Sequence, residues 1–114
     1  MQDPLVAFAG PPLHRSALEI RVNFGIVTGR AATPAEVDAL ARSLLPHVQA
    51  VSIVSEQRYE IGPGHEASVH QVRVEVDESD LPQDEAELEA VTRRLVEQAG
   101  RWAEECAAER HAEY

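Results

Sequence analysis

Hydrophobic and polar positions alternate with a period of two from Leu18 to Phe24. Leu18, Ile20, Val22 and Phe24 face one way, and Glu19, Arg21 and Asn23 face the other. That pattern predicts a half-buried strand over 17–24. Residues 25–32 read as a loop. Thr33-Pro34-Ala35-Glu36 then opens a helix. Thr33 caps it, Pro34 suits the first helical position and Glu36 completes a capping box. Val37, Leu40, Ala41, Leu44 and Val48 form its buried stripe, and Pro46 stops or kinks it, because proline lacks the N–H and clashes with the preceding turn.

Two more alternating runs flank Gly62-Pro63-Gly64. A type II turn with Pro63 and Gly64 at its centre sets Ile61 opposite Glu66, Tyr59 opposite Ser68, Gln57 opposite His70, Ser55 opposite Val72, Ile53 opposite Val74 and Val51 opposite Val76. This register gathers the apolar residues of both strands on one face, and a slip of one residue would scramble them. After Pro82 the period changes to that of a helix, with a stripe of Leu88, Val91, Leu95, Ala99, Trp102 and Cys106. Asp84, Glu85 and Glu87 fall where the helix dipole favours anions. Gly100 costs about 1 kcal/mol relative to alanine, yet the stripe keeps its phase across it.

The order β-α-β-β-α predicts an α+β fold. With a right-handed crossover and local hairpin pairing, its topology resembles a ferredoxin-like sandwich. The expectation is a three-stranded antiparallel sheet in the order first, third, second, with two helices on one face. The first strand's outer edge is then open to a partner strand or to residues 4–9. Residues 1–16 read as a tail or edge strand, and 17–114 as one α+β domain.

Twenty acidic residues face ten basic ones, all arginine, for a net charge of −10. Residues 77–114 hold twelve of the acidic and four of the basic residues, a local net of −8. Nucleic acids and anionic membranes are bound mainly through cationic patches, so neither is expected as a partner. A basic protein partner is compatible with this charge. The absence of lysine excludes Schiff-base chemistry. Many arginines and alanines suggest a GC-rich bacterial genome. No apolar run reaches the length of a membrane span, and the expected location is the cytoplasm. The single cysteine, Cys106, permits no intrachain disulfide and reads as a small hydrophobe on the helical stripe.

Several clusters invite a chemical reading. The core face of the hairpin turns polar toward its tip through Ser55, Gln57, Tyr59, Ser68 and His70. It is a solvated arm, a partner-binding arm, or a pocket in which Gln57, Tyr59 and His70 bind a ligand and the last two handle protons. His65, Glu66 and His70 lack the spacing of two histidines four apart on a helix, so no metal is expected. No cofactor is expected either. The segment Gly25–Arg30 before a capped helix reads as a plain connection, because Thr33 and Glu36 already occupy the free amides, with Arg30 contacting an anion as the residual alternative. The outer sheet face, with Glu19, Arg21, Glu56, Arg58, Arg73 and Glu75, carries mixed charge and no aromatic ring, unlike the sheets that bind single-stranded RNA, and reads as a solvated, salt-bridged face with a polar dimer contact as the alternative. The last helix, about 42 Å long at 1.5 Å per residue, overhangs the sheet. Trp102 and Cys106 on the overhang need a cover, supplied by Leu5, Val6 and Phe8 or by another chain. The sequence therefore predicts a non-enzymatic domain that self-associates or binds a protein partner, with Leu95, Trp102 and Cys106 as interface residues. The alternative is a small-molecule-binding domain or small enzyme with a polar pocket near Tyr59 and His70.

Overall fold

The computed structural model describes residues 6–10 and 18–112, apart from the side chains of residues 60, 65 and 110–112. The described elements are β1 (Ala7–Gly10), β2 (Leu18–Val22), α1 (Phe24–Thr28), α2 (Pro34–Leu44), β3 (Ser52–Gly62), β4 (His65–Val76), a 3-10 turn (Glu78–Asp80) and α3 (Glu85–Ala112). The class is α+β, with an antiparallel sheet and helices packed on it. Among the described residues the sheet has four strands, in the order β1-β2-β4-β3. The added strand lies on the outer edge of β2, where Ala7 pairs with Val22 and Gly10 with Glu19.

Three local rules account for most of this. The Thr33 hydroxyl accepts from the Glu36 amide, and the Glu36 carboxylate accepts from the Thr33 amide, so the capping box closes at the start of α2. Gly64, at a φ of 72°, takes the left-handed position that a type II turn demands. The β3–β4 ladder then runs without a bulge from Gly62↔His65 to Ser52↔Glu75, with Gln57 opposite His70 and Tyr59 opposite Ser68. Asp84 accepts from the Glu87 amide and caps α3, whose 28 residues follow without a break.

The helix-facing side of the sheet is aliphatic. Ile20, Val22, Val72, Val74 and Val76 are fully buried there against Leu40, Leu44, Leu95 and Ala99. Each large side chain so buried contributes roughly 1.5–3 kcal/mol.

The segment 25–32 departs from expectation. Strand β2 stops at Val22, and Phe24–Thr28 forms a five-residue helix instead of a strand end and a loop. Gly25 explains the close fit: a Cβ there would lie 2.9 Å from the His70 backbone nitrogen. Without a side chain, α1 settles directly on β4 and carries Phe24 into the core, where it is fully buried. Gly29, at a φ of 77°, ends the helix.

Candidate functional site

Trp102 and Cys106 are covered by their own chain. The Phe24 ring lies 5.0 Å from the Trp102 ring, tilted by 34°. The indole Nε1 donates to the Glu36 carbonyl at 2.8 Å. Trp102 is 6 % exposed and Cys106 5 %, while Leu95 is fully buried. The expected cover was different. Ala7 and Val6 do pack on the core, but Phe8 pairs with Arg21 and belongs to the opposite face of the sheet. Leu5 lies outside the described residues. The cover that the sequence did not reveal is α1 and the first turn of α2.

Glu36 is the centre of this junction. Its two carboxylate oxygens each accept from Arg30, Nη1 and Nη2, at 2.7 Å. The Arg30 guanidinium also stands over the Phe24 ring, 5.4 Å from its centroid. The carboxyl is held down to about 2, chiefly by the Arg30 bonds, against the opposing effect of burial and with a smaller contribution from the Thr33 amide. The Cys106 thiol lies close to the same carboxylate. Burial, then the neighbouring Glu36 carboxylate, push that thiol up to about 12. A thiol so placed stays protonated near neutral pH and is a poor nucleophile. Arg30, the residual anion-binding candidate, is engaged by Glu36. A cleft of about 220 Å³ opens beside the junction between α2 and α3, walled by Ala35, Ala39 and Trp102 and rimmed by Glu105 and Glu109.

The outer sheet face carries a second polar cluster. Arg21 Nε donates to Glu19 Oε2 at 2.7 Å. Arg73 lies 3.3 Å from Glu19, 3.4 Å from Glu75 and 2.9 Å from Glu56. Directly opposed residues carry like charge, Glu19 with Glu75 and Arg21 with Arg73. Attraction therefore runs along and diagonally across the strands. The expectation of a salt-bridged face is correct, but its centre is not solvated, since Glu19 is fully buried. Beside it, Gln71 Nε2 donates to Asn23 Oδ1 at 2.8 Å.

The hairpin arm is the third candidate. Its helix-facing side is core at the root, with Val72 and Val74 buried and Ile53 half-buried. Farther out the same side is uncovered. Tyr59 is 69 % and Ile61 76 % exposed. Gln57 is exposed and its amide donates to the Ser68 hydroxyl, while His70 is half-buried. The register brings Gln57, Tyr59 and His70 together on one face, as expected, but on an open surface. A shallow hollow of about 440 Å³ at the tip is lined by Ile61, Gly62, Gly64 and Glu66. A third cleft, of about 380 Å³, lies between the end of α2 and the 3-10 turn. These three clefts leave Gln57, Tyr59 and His70 out of their walls. Among the described residues, no group of three histidine, cysteine, aspartate or glutamate side chains is placed to hold a metal ion. No described helix is long and apolar enough to cross a membrane.

Compared with known proteins, the chain matches no family model, no curated protein and no solved structure.

Proposed function

We propose that this chain is a non-enzymatic self-association domain that uses the β3–β4 arm. The observation that carries the reading is the arm's helix-facing side, which continues past the helices and leaves Tyr59 and Ile61 exposed on one face. Large aromatic and aliphatic side chains grouped on a polar-rimmed surface are favoured at protein interfaces. The chemistry elsewhere also supports a binding role over catalysis. The Cys106 thiol is pushed up by burial, and the Glu36 carboxylate is committed to Arg30 and Thr33. The same reading takes the frame as ferredoxin-like. Support comes from α2 and α3 lying on the sheet, and from β1 taking the edge of β2 that a fourth strand would otherwise hold.

Light scattering coupled to size-exclusion chromatography tests the reading. The wild-type chain is expected to elute as a dimer or larger species. Tyr59→Ser together with Ile61→Ser is expected to shift it toward monomer without lowering its melting temperature, because neither side chain is in the core. A wild-type monomer at every concentration would refute it.

A further inference from the structure

We infer that the free edge of β3 docks a second copy of this chain, antiparallel and edge to edge, about a twofold axis through Gln57. The inference rests on the self-association reading above and adds the partner, the edge and the register. Strand β3 ends the sheet, and among the described residues no strand pairs with its outer side. The two-residue turn makes Gly62 and His65 the closing pair of the ladder. Hydrogen-bonding direction alternates along a strand, so the odd-numbered residues from Ile53 to Ile61 aim their N–H and C=O groups away from β4. An unpaired row of this kind is a template for another strand.

Charge and length select one register independently. A twofold axis normal to the sheet keeps the helices of both copies on one side, so opposed residues must share parity and the axis must pass through a residue. Gln57 is the midpoint of Ser52–Gly62, and an axis there pairs all eleven residues of the strand, a shared edge of roughly 37 Å. It sets Glu56 of each copy opposite Arg58 of the other, forming two ion pairs about the axis. It also sets Ile53 opposite Ile61 and Ser55 opposite Tyr59. Moving the axis to Arg58 stacks Arg58 on itself, and moving it to Glu56 stacks Glu56 on itself. An axis through Tyr59 retains an arginine–glutamate pair but engages only residues 56–62. Like charges directly opposed are destabilising on a sheet, and unlike charges are favourable.

The same register answers the exposure of the arm. The tip of one copy, with Tyr59 and Ile61, lies beside the start of β3 in the other. That start follows Leu45, which is 44 % exposed at the end of α2. Both Glu56 carboxylate oxygens accept from Arg73 Nη1 within the chain, at 2.9 and 3.0 Å, and each oxygen can accept a further bond from Arg58 of the other copy.

Sedimentation equilibrium of the full chain and two variants tests the register. Arg58→Glu and Glu56→Arg are each expected to weaken self-association by about tenfold or more, as close interfacial charge pairs do. Mixed in equal amounts, the two variants are expected to form a heterodimer with affinity near that of the wild type, since every opposed pair is then of unlike charge. A folding defect in Glu56→Arg, which also faces Arg73, cannot produce that recovery. As a second readout, Gln57→Cys is expected to cross-link across the axis with a short bifunctional maleimide, while Glu87→Cys on α3 is not. If the wild type dimerises but Arg58→Glu leaves the affinity unchanged and the mixture shows no heterodimer preference, the register is overturned and the self-association reading stands. A monomeric wild type overturns both.

Discussion

Glu36→Gln isolates the charge at the junction of α1, α2 and α3. The substitution keeps the size of the side chain, and glutamine also serves at this position of a capping box. What it removes is the anion that Arg30 grips through two bonds of 2.7 Å. The carboxyl is lowered from its ordinary 4.5 to about 2 in the folded chain. At about 1.4 kcal/mol per pH unit, that drop corresponds to about 3 kcal/mol of stability. The side chain is 16 % exposed, and solvent screening trims the figure to about 2 kcal/mol. The folded value lies below the unfolded one, so the contribution is complete above pH 4.5 and is lost as pH falls toward 2. Urea denaturation of both chains at a series of pH values is the assay. The expected gap is about 2 kcal/mol at pH 7, or roughly 8 °C in melting temperature, closing as the pH approaches 2. A gap that persists unchanged at pH 2.5 would mean that the bond is not ionic. A gap below about 0.5 kcal/mol at pH 7 would place the pair among ordinary surface ion pairs.

Three further expectations follow from the same geometry. Alkylation of Cys106 at pH 8 should be slow in the native chain and fast in denaturant, because burial and Glu36 hold the thiol protonated; equal rates would refute the placement. Gly25→Ala should destabilise by about 1–3 kcal/mol, the range for overpacking, since its Cβ would meet the His70 backbone at 2.9 Å; unchanged thermal unfolding would count against α1 seated on β4. Glu19→Ala should cost about 3 kcal/mol or more, because it leaves the Arg21 and Arg73 guanidiniums without their buried anion. A double variant that also replaces Arg73 by methionine should recover part of that loss, and additive losses would show that the charges act independently.

The register of β3 and β4 was legible because two independent signals coincide. The turn residues Pro63 and Gly64 fix the loop, and alternation from Ile53 to Ile61 fixes the faces. The cap at Thr33 and the start of α3 near Asp84 were legible for the same reason, since each is a local hydrogen-bonding device. Helix α1 was not. Phe24 continues the period-two pattern of Leu18, Ile20 and Val22, and a five-residue helix is too short to print a period of 3.6. What stops the strand is tertiary: the approach of Gly25 to His70. Missing α1 meant missing the cover over Trp102, which the pattern assigns to Leu5, Val6 and Phe8 or to another chain and which Phe24 supplies. The burial of Glu19 was hidden for another reason. Alternation assigns a residue to a face but says nothing of how densely that face is packed, and here Arg21 and Arg73 both reach the Glu19 carboxylate.

Glu36 gives the molecule a cooperative unit smaller than the whole. Its amide and carboxylate close the first turn of α2, its carboxylate holds Arg30, and its carbonyl receives the Trp102 indole. None of these bonds survives long without the residue in its helical position. The Thr33 and Glu36 amides and the Trp102 indole should therefore exchange hydrogen with solvent through one shared opening, as contiguous units of native structure do. The tip of the arm, tied only through the β3–β4 ladder, opens on its own schedule. Fraying of the last turns of α3 is thus transmitted to the start of α2, some 66 residues earlier in the chain, through a single side chain and its own backbone.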